Sequence, residues 1–222
     1  MAGMKIHHAS IILALSFFLA PATAQAQPEF LKDNVGKLVR KVGVHVNISV
    51  REPLDHDVTK GTRFGASIGL APGRSNGWRY PFALTTFSEN LHTPSGEKFA
   101  VFKSRAILAG IGYGWHFGKL STGASVQGGW GFNQGMLVGN VAQSFGVPDG
   151  PSSIHIQNAP LLRPQIKAEY FITEKFTVRT SADYMLLRPS VSVTANGIPQ
   201  EDRWHASNFH ANFGIGFYPF RK

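Results

Sequence analysis

From residue 41 onward the chain alternates apolar and polar positions with a period of two. Residues 41–50 read KVGVHVNISV, with Val42, Val44, Val46, Ile48 and Val50 on one face and Gly43, His45, Asn47 and Ser49 on the other. That alternation predicts a strand with one apolar face. Residues 62–70, 78–86, 106–117, 121–133, 160–172, 176–186 and 209–217 repeat the pattern, though the third strand loses it near Phe87. This makes eight strands, and an even number lets a meander close on itself and leave no edge.

The connections alternate in length. Residues 51–61 and 88–97 are medium connections and residues 134–158 and 187–204 are long, whereas 71–77, 118–119 and 173–175 are short. Membrane barrels place short turns in the periplasm and long loops outside, and every short turn here falls at the end where the chain enters. Gly118 supplies the positive φ of a II′ hairpin turn, which puts Trp115 across from Thr122 and Ile107 across from Trp130. A hairpin centred on Glu174 sets Glu169 opposite Arg179, with Lys167 and Asp183 as diagonal neighbours on the same polar face. Pro81, Pro160 and Pro164 cannot donate to a ladder and predict bulges or strand ends.

Alternation alone does not say which face is inside. An outward apolar face belongs to a membrane barrel, an inward one to a soluble lipocalin-like carrier of a small molecule. Aromatics sit near both strand ends: Trp78, Tyr80, Trp115, Phe117 and Phe217 at one, Trp130, Phe132, Tyr184 and Phe209 at the other. They read as interfacial girdles. Strands of about ten residues, tilted ~40°, match an apolar band ~25 Å tall. The small, charge-compensated polar face suits a narrow filled interior. The expected fold is therefore all-β: an eight-stranded antiparallel up-and-down transmembrane β-barrel following a cleaved signal peptide.

Residues 1–26 carry that signal. Lys5 precedes the apolar run IILALSFFLA, which ends at Pro21 and is followed by small residues, with A-x-A frames ending at Ala24 or Ala26. Cleavage after Ala26 is preferred. The expected organisation is a signal peptide over 1–26, a periplasmic lead-in over 27–40 and the barrel over 41–222. In the lead-in, Phe30, Leu31, Val35 and Leu38 offer a short amphipathic helix as the alternative to an unordered segment.

Composition agrees with a barrel. The chain has 24 glycines, 17 phenylalanines, 16% charged residues and no cysteine, which excludes disulfides, thiol metal ligands and cysteine nucleophiles. The net charge is +9, or +8 once Lys5 is removed. The topology assigns +7 of this to the inner end and −3 to the outer loops, while Lys103, Arg105 and the luminal charges supply the remaining +4. With no basic helix or basic-aromatic stripe, this argues against gripping nucleic acid or anionic lipopolysaccharide.

The C-terminal segment NFGIGFYPFRK and the eight alternating segments before it resemble the small outer-membrane β-barrels related to the outer membrane protein A barrel. The resemblance spans residues 41–222. It implies outer-membrane lipid as surroundings and recognition by the barrel assembly machinery through the last strand. Phe217 and Phe220 fit its terminal aromatic, although Arg221 and Lys222 extend past them. It implies no single activity.

Candidate chemistry is sparse. His45, His116 and His210 lie on the polar faces of separate strands without a metal-ligand spacing, and interior hydrogen bonding is their expected role. Lys167, Glu169, Arg179 and Asp183 are expected to fill and neutralise the lumen. His205-Ala206-Ser207-Asn208 resembles the H-x-S-N stretch of outer-membrane lipid A deacylases, and by parity His205 and Ser207 would share the lipid-side face. No Asp or Glu follows Ser207 to orient the histidine. The sequence therefore reads as a non-enzymatic barrel with no catalytic, cofactor or metal residues assigned. It would have a filled polar lumen and long outer loops suited to a structural or interaction role. The alternatives are a lipid A-modifying hydrolase and the soluble carrier.

Overall fold

The computed structural model describes residues 42–54, 59, 63–72, 76–93, 96–138 and 151–219. The expected signal peptide, the lead-in and residues 220–222 lie outside them. Twelve strands follow one another among the described residues: β1 (Val42–Pro53), β2 (Arg63–Pro72), β3 (Gly77–Arg79), β4 (Phe82–His92), β5 (Lys98–Phe117), β6 (Leu120–Leu137), β7 (Ser152–Ile156), β8 (Ala159–Phe171), β9 (Phe176–Leu187), β10 (Ser190–Ala195), β11 (Ile198–Arg203) and β12 (Asn208–Phe217).

Eight antiparallel staves close a ring. β1 pairs with β2, β2 with β4, β4 with β5, and so on through β6, β8, β9 and β12 back to β1. β3 and β4 form a single stave interrupted at Pro81. Trp78 opposes Tyr113 and Phe82 opposes Ala109, so the register against β5 is unbroken, and Pro81 still accepts the Gly110 amide at 3.0 Å. Pro160 stands near the start of β8. At Pro164 the pairing between β8 and β9 lapses between Leu162 and Gln165 without a register shift. Missing amide donors thus interrupt ladders locally and leave the barrel closed.

The turns set these registers. Gly118 has φ +59°, and Trp115 opposes Thr122 while Ile107 opposes Trp130, as the two-residue turn requires. At the other tight turn, the Thr173 hydroxyl accepts the amides of Lys175 and Phe176 at 3.2 and 3.0 Å. Glu169 accordingly stands across from Arg179.

The apolar face points outward. Ile48, Phe64, Trp78, Ile166 and Phe213 are all exposed, at 67%, 74%, 66%, 64% and 55%. His45, Asn47, Gln127, Gln165 and Asn212 are buried inside the ring. A carrier reading needs the reverse arrangement and is set aside. The girdle residues named from the sequence lie on this outward face, Trp115 and Phe117 at the short-turn end and Trp130 and Phe132 at the other.

At the long-loop end the structure departs from expectation. The staves run further than the alternation suggested: β5 begins at Lys98, β6 continues to Leu137 and β4 reaches His92. Residues 134–158 and 187–204, expected as unpatterned loops, contain β7, β10 and β11, which form a separate three-stranded antiparallel sheet in the order β11-β10-β7. Residues 139–150 of the first segment lie outside the described residues. Asn196 and Gly197 link β10 to β11 with φ of +50° and +78°, the two positive values of a type I′ turn.

Candidate functional site

An eight-stave ring has a narrow interior, and the space that its inward glycines leave is filled at three levels. Nearest the short turns lies an aromatic and carboxylate floor. Tyr218, one residue past β12, folds across the mouth and is 1% exposed. Its ring occupies the space a Cβ at Gly43 would need, so that glycine is dictated by close approach. Glu169 Oε1 accepts from Thr177 Oγ1 at 2.7 Å and from the Tyr218 hydroxyl at 2.9 Å. His45 Nδ1 lies 3.6 Å from the same oxygen. Phe171 packs on Tyr218 with ring centres 5.4 Å apart, and His116 meets Phe171 edge-on. Burial first, and the Glu169 carboxylate second, push the Tyr218 phenol above its ordinary range, so it stays a donor.

Above the floor runs a continuous polar chain. Arg163 donates to Gln127 at 2.8 Å, Gln127 to Gln165 at 3.3 Å, and Gln165 to Asp183 at 3.3 Å. Asn212 also donates to Asp183, at 2.7 Å. His210 presents Nδ1 to Asp183 at 3.1 Å, while its Nε2 accepts from Arg51 Nε at 2.9 Å. These partners define the neutral imidazole tautomer with hydrogen on Nδ1. Arg51 then pairs with Glu89 at 3.0 Å. A cavity of about 20 Å³ beside this chain touches His45, Asn47, Gln127 and Gln165, room for one or two waters.

The third level is apolar, which corrects the expectation of a polar lumen throughout. Phe87, Leu91, Phe99, Phe102, Met185, Leu187 and Trp204 form a buried cluster with Ile156 and Leu161. Phe102 meets Phe87 and Trp204 edge-on, with ring centres 5.7 and 4.8 Å apart. Ile154 and Val191 pack against this cluster and tie the outer sheet to it. The seam between the levels is Arg51, whose guanidinium lies 3.6 Å from the centre of the Phe87 ring while pairing with Glu89.

Among the residues singled out from the sequence, Lys167, Glu169 and Asp183 are buried and Arg179 is half-buried, all facing the lumen. His210 enters the hydrogen-bonded network beside Asp183, whereas His45 lies 3.6 Å from Glu169 with neither ring nitrogen hydrogen-bonded among the described residues. His205 and Ser207 do not share a face. His205 is exposed, whereas Ser207 is fully buried, and its hydroxyl accepts the Leu187 amide at 3.4 Å. Residues 204–207 lie outside the ladder, and Ala206, Ser207 and Asn208 are buried in succession, so strand parity does not apply to them. The sequence reading missed Arg51, Glu89, Tyr218 and the apolar level. Its available signal was the loss of alternation near Phe87, where the face assignment inverts.

No protein-family model and no curated protein matches the chain. Similarity to solved structures is clear at the level of shape. The outer membrane protein OprG from Pseudomonas aeruginosa matches with a TM-score of 0.65 and 12% identity, over 80% of this chain and 95% of that one. AlkL in DMPC lipid bilayers matches at 0.53 and 14%, over 80% and 89%. Neisserial surface protein A matches at 0.51 and 12%, over 80% and 95%. With its closed eight-stave ring and outward apolar band, this chain has the fold of the small eight-stranded outer-membrane β-barrels, and an outer-membrane location goes with that fold.

Proposed function

We propose that the protein is a non-conducting, non-enzymatic outer-membrane barrel that anchors an ordered outer sheet for contacts at the cell surface. The observation that carries this reading is the filled lumen: a floor, a polar chain and an apolar plug are stacked along the axis, and the cavity beside the polar chain holds about 20 Å³. A hydrated ion or small solute would have to displace Phe102, Trp204 and Tyr218, each 7% exposed or less. What projects from the membrane is correspondingly well built. The β7–β10–β11 sheet shares its apolar residues with the plug, so it is held in a fixed orientation rather than tethered by loops.

The test is conductance. The folded protein, verified by its heat-dependent shift on a gel, is expected to give no stable channel in planar bilayers. Reproducible open steps would overturn the reading. No observation favours the hydrolase, because Ser207 is sealed from lipid and its hydroxyl is engaged by the backbone.

A further inference from the structure

Along β4, β5 and β6 the outward face changes character near the long-loop end. Ile107 and Trp130 oppose each other on the apolar band. One row further out, Arg105 stands between Thr86 and Phe132, and the next row places Lys103 between Ser88 and Gln134. Lys103 and Arg105 are both exposed on the outer wall. Both are held in the ladders by their backbone, and neither side chain has a hydrogen bond or ion pair with any other described residue. The described outward residues of β4 to β6 include no carboxylate, since Glu89 points inward and is held by Arg51.

The height of this pair can be reckoned from strand geometry. A rise of ~3.3 Å at ~40° tilt gives ~2.5 Å of height per residue. From Phe117 at the inner rim, Ile107 is then ~25 Å up, at the top of the apolar band. Arg105 is ~30 Å and Lys103 ~35 Å up, in the headgroup layer just beyond the hydrocarbon. Two cations, three flanking polar side chains (Thr86, Ser88 and Gln134) and an apolar wall below make a surface matched to an anionic headgroup with acyl chains.

We propose that Lys103 and Arg105 bind the phosphate of a phosphorylated glycolipid in the outer leaflet, whose acyl chains lie against Ile107 and Trp130. The inference rests on the membrane placement of the barrel and not on its being closed to ions, so a conductance result leaves it intact. The net acidity of the outer loops does not bear on it, because the pair sits on the strand wall at the lipid surface.

The test uses native mass spectrometry of the purified protein in detergent, with bisphosphorylated lipid A and its fully dephosphorylated form as probes. Retention of the bisphosphorylated form is expected to weaken about 30-fold in Lys103→Gln/Arg105→Gln, at roughly fivefold per cation near an anionic surface. The dephosphorylated form should bind wild type and variant alike, and Lys103→Arg should retain binding. A heat-shift gel confirms that the variants are folded. Equal retention of bisphosphorylated lipid A by wild type and the double variant would overturn the proposal. So would equal loss in the opposite-rim variant Lys119→Gln/Lys175→Gln. Displacement by millimolar inorganic phosphate would overturn it too, because that marks a small-anion site instead of a lipid site.

Discussion

The two halves of β5 obey the same period and opposite rules. Over residues 107–117, Ile107, Ile111 and Trp115 point outward and are 42%, 48% and 44% exposed, while Gly110, Gly112 and Gly114 point in. Over residues 98–106, Phe102 and Ala106 point in and are buried, while Lys103 and Arg105 point out. Neither the strand nor its alternation changes. What changes is the medium outside the wall, hydrocarbon in one half and the polar headgroup layer and water in the other. A period of two therefore identifies a strand, and the surrounding solvent decides which face is apolar. The lumen follows: polar where the outside is hydrocarbon, apolar where the outside is polar.

The largest test of this division is at its seam. Glu89 and Arg51 are each 1% exposed and paired at 3.0 Å. Deleting one member of such a pair leaves an uncompensated buried charge and costs about 3–5 kcal/mol. Glu89→Ala is expected to lower unfolding stability in urea by that amount. Replacing both with apolar residues, as in Arg51→Met/Glu89→Leu, should restore much of the loss, because the apolar level then extends one tier downward. A single-variant loss below about 1 kcal/mol would mean the seam is wet and the halves are not sharply divided.

How much of this was legible in the sequence depends on the range of the interaction. Turn chemistry and parity are local, and from them the registers at Gly118 and Glu174 and the inward placement of His45 and His210 could be read correctly. The contacts of Tyr218 with Glu169, and of Arg51 with His210, join residues 49 and 159 positions apart. The second follows from β12 closing onto β1 and the first from β12 lying next to β9 and β9 next to β8, so nothing short-range announces either. The outer halves of β4 to β6 were lost because their apolar residues lie on the face expected to be polar. The outer sheet was lost for a different reason. VSVTA-NG-IPQED carries an Asn-Gly between two runs that can pair, a readable hairpin signal inside a segment assigned to a loop. The long loop expected over 187–204 is therefore largely paired backbone, and β10 and β11 should resist protease.

The next prediction contrasts the two outer surfaces directly. Ile48 is 67% exposed and near mid-height on β1, and Met136 is 51% exposed beyond the girdle on β6. An arginine on the lipid face near mid-bilayer costs about 2–4 kcal/mol, against about 0–1 kcal/mol near an interface. Refolding titrations into liposomes should therefore find Ile48→Arg markedly destabilised and Met136→Arg close to wild type. Similar losses at both sites would place Met136 in hydrocarbon and raise the membrane boundary above Lys103.

The smallest effect tests whether the outer sheet is a unit of its own. Asn196 and Gly197 have φ of +50° and +78°, and an Ala at the second position would pay about 1–2 kcal/mol for a left-handed backbone. Space is not the issue, since nothing lies within 4 Å of where the Cβ would stand. β11 pairs only with β10 among the described strands, and β10 joins the barrel through Val191 packed on the apolar plug. Strain at the turn should therefore be felt by β10 and β11 and fade before it reaches the staves. Hydrogen exchange is expected to speed up for amides in β10 and β11 of Gly197→Ala by roughly fivefold or more, the exchange equivalent of about 1 kcal/mol of local stability. Amides of β1 and β12 should keep wild-type protection. Equal acceleration in the staves would join sheet and barrel into one cooperative unit, and the plug would then be the core of a single structure spanning both media.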